Sequence, residues 1–168
     1  VWIQASYNPI LDGDGRPTKV VKYATDVTAQ KLQAADTAGQ IAAIGKSQAV
    51  IHFDLDGRVQ WANDHFLKTL GYQLDEIVGR HHAQFVDASY AQGEAYRGFW
   101  DRLRAGQFDA GEYKRIGKGG KEVWIQASYN PIFDLNGKVA KDVKFATDVT
   151  DRVVAVETLA AGLSALAD

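Results

Sequence analysis

The sequence predicts an α+β domain built on an antiparallel sheet, with strands and helices segregated along the chain. Two observations carry that prediction. Period-two runs fall into one group near residue 50 and another after residue 108, with helical spacings between them. The ten-residue word VWIQASYNPI also stands twice, at Val1–Ile10 and at Val123–Ile132, and the likeness continues beyond it. Residues 12–28 (DGDGRPTKVVKYATDVT) fall on 134–150 (DLNGKVAKDVKFATDVT) at the same offset of 122. That period is domain-sized, far longer than the roughly twenty to fifty residues of a solenoid repeat. Nothing precedes the first copy, so residues 1–28 are expected to be the last two strands of a truncated upstream domain. Methionine is absent even at position 1, and the chain reads as a piece of something longer.

Each element has its own signal. Ala49–Leu55 (AVIHFDL) reads as a strand, Asp56-Gly57 as a turn and Val59–Ala62 as a second strand. Asn63 or Asp64 caps a short helix through Leu70, stopped by Gly71. Leu74–Val78 and His81–Val86 form further short turns, with Gly79 between them. Ala95–Ala105 is a longer helix whose Tyr96, Phe99, Trp100 and Leu103 form one aromatic stripe. Phe108–Ile116 is a third strand, and GKGGK (117–121) is read as a hairpin connection with solvated lysines, not a phosphate loop. In VWIQASYN, Val123, Ile125, Ala127 and Tyr129 alternate with Trp124, Gln126, Ser128 and Asn130. Pro131 should end that strand, Asn136-Gly137 should turn the chain, and Asp142–Thr150 should return it.

Composition narrows the function. Hydrophobic residues make up 46% of the 168 and aromatics 11%, which suits a packed core. Lys and Arg number 19 against 21 Asp and Glu, a net charge of −2 with no basic cluster, so nucleic acid is not an expected partner. There is no cysteine, which removes disulfides, thiolate catalysis and cysteine metal sites and fits a reducing, cytoplasmic setting. No apolar run reaches membrane-spanning length. Neither G-x-S-x-G nor HExxH occurs, and no glycine-rich loop opens a helix, so an enzyme is not expected.

Five pieces in this order resemble the PAS sensor family: FDLDGRVQWAN (53–63), FLKTLGY (66–72), LDEIVGR (74–80), YKRIGKGGKEVWIQASYNPI (113–132) and DVT (148–150). The wording HHAQFV and EYKRIGKGGKEVWIQASYNPI is closest to the tandem PAS domains of soluble methyl-accepting chemotaxis receptors. The resemblance implies a five-stranded antiparallel sheet with short helices on one face, flanked by N- and C-terminal signalling helices. It also implies sensory input and relay in a cytoplasmic chemoreceptor, responding to oxygen, redox or a small ligand. The domains then read as residues 1–28, a truncated PAS tail; 29–47, a linker helix with Leu32, Ala35, Ala38, Ile41 and Ile44 at helical spacing; 48–152, a complete PAS domain; and 153–168, an exit helix. Val156, Leu159, Leu163 and Leu166 are spaced as a coiled-coil seam, which points to a homodimer through the flanking helices or the outer sheet face. Neighbouring PAS and signalling domains are the other expected partners.

The resemblance places a pocket between sheet and helices. Haem b, FAD or nothing at all are the alternatives for its contents; a cysteine–flavin photoreaction is excluded by the missing cysteine. For haem iron, His82 is the first candidate ligand and His81 the second, while His52 sits on a strand and His65 on the first short helix. Trp61, Asn63, Phe85, Phe99, Trp100, Ile125 and Tyr129 are the candidate pocket residues, and ordinary core packing is the plainer reading of the aromatics. Trp124 should face outwards, covered by the linker helix or by a partner. Asp148 and Thr150 resemble the family's signal-relay corner, and they also read as a helix cap. Residues 1–28 repeat 123–150 closely enough to compete for the same slot, in a permuted or domain-swapped arrangement.

Overall fold

The computed structural model describes residues 1–165 and divides within its first helix into two compact units, Val1–Ile44 and Gly45 onward. The first unit is a two-stranded hairpin, β1 (Ile3–Leu11) and β2 (Pro17–Asp26), followed by α1 (Thr28–Ser47), which buries no residue. The helix runs unbroken through Gly39.

The second unit begins with β3 (Ala49–Phe53) and β4 (Val59–Ala62). Four short helices follow, α2 (Asp64–Leu70), α3 (Leu74–Ile77), a 3₁₀ turn (His82–Phe85) and α4 (Ala88–Ala91), and then the longer α5 (Glu94–Arg104). The chain closes with β5 (Asp109–Ile116), β6 (Glu122–Phe133), β7 (Val139–Asp148) and α6 (Thr150–Ala165). The five strands form one antiparallel sheet in the order β4-β3-β7-β6-β5, so the last strand lies between the first and the penultimate one. No helix among the described residues is long and apolar enough to cross a membrane.

Local chemistry explains the boundaries. The turn after β3 is closed by Asp54 Oδ1, which accepts from the amides of Asp56 (3.0 Å) and Arg58 (2.8 Å), so the strand stops at Phe53 and not at Leu55. Gly57 has φ +77°, and a Cβ there would meet His81 Nε2 at 2.9 Å and the Trp100 ring at 3.0 Å, so the turn admits only glycine. Asn63 caps α2: its Oδ1 accepts from Phe66 N at 3.0 Å and from Val50 N at 2.9 Å. Gly71, in the left-handed region, ends α2.

The largest differences from the sequence reading lie in the last two strands and at α4. Pro131 does not end its strand: β6 runs on to Phe133, with Pro131 paired to Asp142. Beyond the Asp109–Tyr129 pair β5 no longer flanks β6, so the proline's missing N–H lies on a free edge. The return strand starts at Val139 and ends at Asp148, and Thr150 already belongs to α6. The four-residue α4 was too short to leave a periodic signal. Val156, Leu159 and Leu163 of the proposed seam are exposed on α6, and Leu166 lies outside the described residues.

The core lies between the sheet and the short helices. Ile51, Phe53, Val59, Phe66, Leu70, Ile77, Phe85, Phe99, Trp100, Leu103, Val123, Ile125 and Tyr129 make up most of it. The α5 stripe delivers Tyr96, Phe99, Trp100 and Leu103 into it. Most of the core's aromatic rings meet edge-on, as Phe99 and Tyr129 do at 4.8 Å and Phe53 and Trp100 at 5.7 Å, while Tyr96 and Phe99 stack.

Candidate functional site

Alternation along β6 sends Ile125, Ala127 and Tyr129 into the core, and pairing puts Lys144 of β7 opposite Tyr129. His82 enters from the 3₁₀ turn, and Arg115 from the buried end of β5. Their side chains form a chain of hydrogen bonds. Arg115 Nη2 donates to Tyr129 Oη at 2.9 Å, Tyr129 Oη lies 2.9 Å from His82 Nε2, and His82 Nδ1 lies 2.9 Å from Tyr96 Oη. Tyr129 is fully buried, so the arrangement that uses its only proton has Tyr129 donating to Nε2 and His82 donating from Nδ1 to Tyr96. Burial, with Arg115 and Lys144 nearby, holds the imidazole well below its usual range, so a neutral ring with one donor and one acceptor is the stable form. Burial pushes the Tyr96 hydroxyl up to about 12, and that of Tyr129 upward too.

Charged groups surround this chain. Lys144 Nζ lies over the rings of Tyr129 (5.0 Å) and Phe66 (5.8 Å), and burial and then Arg115 hold its ammonium well below the usual lysine range. Asp142 is buried with neither carboxyl oxygen hydrogen-bonded, and desolvation pushes it up to about 7. Arg115 stacks on Tyr113 at 4.7 Å and donates from Nη1 to Lys114 O at 2.8 Å, while its Nε is buried without a partner.

The candidate residues therefore separate. His82, Phe85, Phe99, Trp100, Ile125 and Tyr129 meet in one core, and His81 stands at its rim. His81 Nδ1 accepts from Ala83 N at 3.0 Å and caps the 3₁₀ turn. Trp61 and Asn63 do not line the pocket. Trp61 pairs with His52 on the opposite face of the sheet, 44% exposed, with ring centroids 5.0 Å apart. Asn63 is consumed by capping, and its Nδ2 donates to Gly45 O and Gln48 O. Arg115, Lys144 and Asp142 were missed, because each reads in isolation as a solvated charge on a strand. The repeat held a signal, since the position of Asp142 is occupied by Val20 in the first copy.

This core does not fit a haem. Iron bonded to either nitrogen of His82 would replace a tyrosine hydroxyl, and the rings of Phe53, Tyr96, Phe99, Trp100 and Tyr129 pack around that imidazole at 5.3–6.2 Å, where a porphyrin would lie. Of the residues read as able to border a flavin, Trp61 and Asn63 lie outside this core, whereas Tyr96, Phe99 and Trp100 lie within it.

A second feature joins the sheet to the exit helix. Trp124 N donates to Thr150 Oγ1 at 3.0 Å, Thr150 Oγ1 donates to Asp148 Oδ1 at 2.6 Å, and Thr150 N donates to the same oxygen at 2.9 Å. Val149 N donates to Trp124 O at 2.8 Å. The start of α6 is thus fastened to β6 next to the half-buried Trp124 side chain. Arg152, in the first turn of α6, pairs with Glu112 of β5.

Comparison with known proteins agrees with this architecture. The chain is 45% identical over 153 residues to the biofilm dispersion protein BdlA of Pseudomonas aeruginosa, a match covering 91% of this chain and 37% of that protein. It is 30% identical over 113 residues to the aerotaxis receptor of Escherichia coli, covering 67% of this chain and 22% of the receptor. The chain spans well under half the length of either relative. A PAS domain from Colwellia psychrerythraea superposes with a TM-score of 0.61 at 17% identity, over 68% of this chain and 98% of that one. Residues 46–154 match the PAS fold family, to which the chain belongs.

Proposed function

We propose that this PAS sensor domain serves as the input and relay stage of a cytoplasmic, dimeric chemotaxis receptor, with α6 as its output and neighbouring receptor domains as its partners. The observation that carries the reading is the Trp124–Thr150–Asp148 clasp. A shift of β6, which carries Tyr129 in the core and Trp124 at the clasp, reaches the first turn of α6 without crossing a loop. The core is read as a sensor and not as a catalytic centre, since both nitrogens of its one buried histidine are engaged. Likeness to an aerotaxis receptor, and over most of the chain to a biofilm dispersion protein, supports the receptor setting. A full-length receptor carrying Thr150→Val should keep the folded sensor and lose stimulus-dependent control of its signalling output. An unchanged response would refute the relay.

A second reading, a ligand-free interaction module, is favoured by the outer sheet face, where Trp61 is exposed and Trp124 and Phe145 are half-buried. The absorption spectrum of purified protein separates part of this choice. A Soret or flavin band would support a bound cofactor and contradict the packed core. Removing residues 1–28 tests their role in assembly: loss of self-association would support exchange of the hairpin between chains, and unchanged size would refute it.

A further inference from the structure

We propose that the PAS core takes a small carboxylate anion, seated on Arg115 through the cleft between β5 and the segment that carries α4. This rests on the sensor reading and names the chemistry of its ligand. The cleft is about 310 Å³, with Val86, Asp87 and Tyr90 on one wall, residues 112–115 on the other, and Arg115 among its lining. Its acids have partners of their own: Asp87 shares Lys114 with Glu122, at 3.5 Å and 3.1 Å, and Glu112 pairs with Arg152. Arg115 has no such match. It is 4% exposed, no carboxylate among the described residues pairs with it, and its Nε has no hydrogen-bond partner. A guanidinium stays charged at any physiological pH, and a buried, uncompensated charge is strongly destabilising. A carboxylate supplies the missing counter-charge, and its planar pair of oxygens suits the guanidinium fork.

The surroundings select an anion over a neutral ligand. Lys144, the other buried basic side chain of this face, has its ammonium disfavoured by burial and by Arg115, so an anion there would favour the charged form. Arg115 donates to Tyr129, and Tyr129 meets His82, so an occupant at Arg115 is felt at the imidazole. On the opposite side Glu112, a wall of the same cleft, holds Arg152 of α6. The cleft thus borders the core chain through Arg115 and is linked to the output helix through the Glu112–Arg152 pair.

The test is titration of the whole chain with sodium succinate and sodium benzoate, against succinamide and benzamide as neutral shapes and sodium chloride at matched ionic strength. The readouts are the ring ¹⁵N shifts of His82 and the thermal midpoint. At least one acid should shift the His82 nitrogens saturably and raise the midpoint, while the amides and chloride should not. Arg115→Lys keeps the charge and loses the fork, and should weaken binding about tenfold or more. Asp142→Val removes the one buried acid of this face, follows the Val20 of the first copy, and should bind at least as tightly. Arg115→Gln removes the charge altogether and should abolish the saturable shift; if it does not fold, Arg115→Lys and Asp142→Val still decide. Equal binding of acids and amides, no saturable shift with either acid, or loss of binding in Asp142→Val would overturn the proposal. A failed relay would show instead as an unchanged response in Thr150→Val, with these titrations unaffected.

Discussion

Tyr7 of the hairpin is 65% exposed, whereas Tyr129, at the same place in the repeat, is fully buried. Yet the two copies share their backbone. Ile3 pairs with Asp26 as Ile125 pairs with Asp148, Pro9 with Val20 as Pro131 with Asp142, and the register slips after Ile10 as it does after Ile132. Asp12 and Asp134 close their turns by the same pair of amide contacts. Trp2 N donates to Thr28 Oγ1 at 2.8 Å, as Trp124 N does to Thr150 Oγ1. Twenty-eight residues therefore suffice to specify strand register, turn and clasp. Burial is supplied from outside them, by β3, β5 and the short helices, so one sequence is a solvated ribbon in one place and half a core in the other.

The sharpest way to break the comparison is to truncate the matched tyrosines. Tyr129→Ala should cost the second unit about 3–5 kcal/mol, as for other large aromatic truncations in a core. Tyr7→Ala should leave that unit within about 0.5 kcal/mol. Urea unfolding followed by tryptophan fluorescence reads both. Similar losses at the two sites would mean that the first copy is buried in solution.

Asp142 and Val20 come next. The Asp142 carboxyl is raised to about 7 in the folded state, against an ordinary value near 4 when unfolded. A raised carboxyl means that the folded protein holds its proton more tightly. The group therefore costs nothing below about pH 4, costs progressively more as pH rises from about 4 to 7, and levels off above that. Asp142→Val should stabilise the protein by on the order of 2–4 kcal/mol at pH 8 and by little at pH 4. Val20→Asp, at an exposed site, should change stability by less than about 0.5 kcal/mol at either pH. Melts across pH test the pair; a flat difference for Asp142→Val would mean that the carboxyl is hydrated or paired.

Thr150→Val and Thr28→Val delete the same hydroxyl from the two clasps. Each should cost about 1 kcal/mol locally, as for a lost helix cap. Only the loss at Thr150 should appear in the unfolding of the second unit, because Thr28 lies outside it.

The repeat and the alternation within VWIQASYN made part of this legible: an antiparallel sheet and the opposed faces of Tyr129 and Trp124 follow from period two, while the five-stranded order and the inward face rested on the resemblance to the PAS family. Other features depend on partners distant in sequence. His81 and His82 are adjacent, and only the turn fixed by Gly57 decides which enters the core. Trp61 sits on a strand of four residues, too short for its phase to be read; pairing with His52 turns it outward. Lys144 faces the core because it pairs with Tyr129 and Ile51, a consequence of strand order that no local pattern contains.

The smallest expected effect concerns a contact the first copy lacks. Arg152 pairs with Glu112, whereas the corresponding residue after the first copy is Gln30. Both members of the pair are well exposed, so Arg152→Gln should change global stability by less than about 0.5 kcal/mol. Its consequence is local. The first turn of α6 is held on one side by Thr150 and on the other by Arg152, and Val153 N donates to Val149 O at 3.0 Å between them. Removing the guanidinium should speed amide exchange at Val153 and Val154 while leaving the strand amides of β6 protected. If those two amides exchange as before, the Thr150 clasp alone fixes the helix, and β5 has no hold on the output.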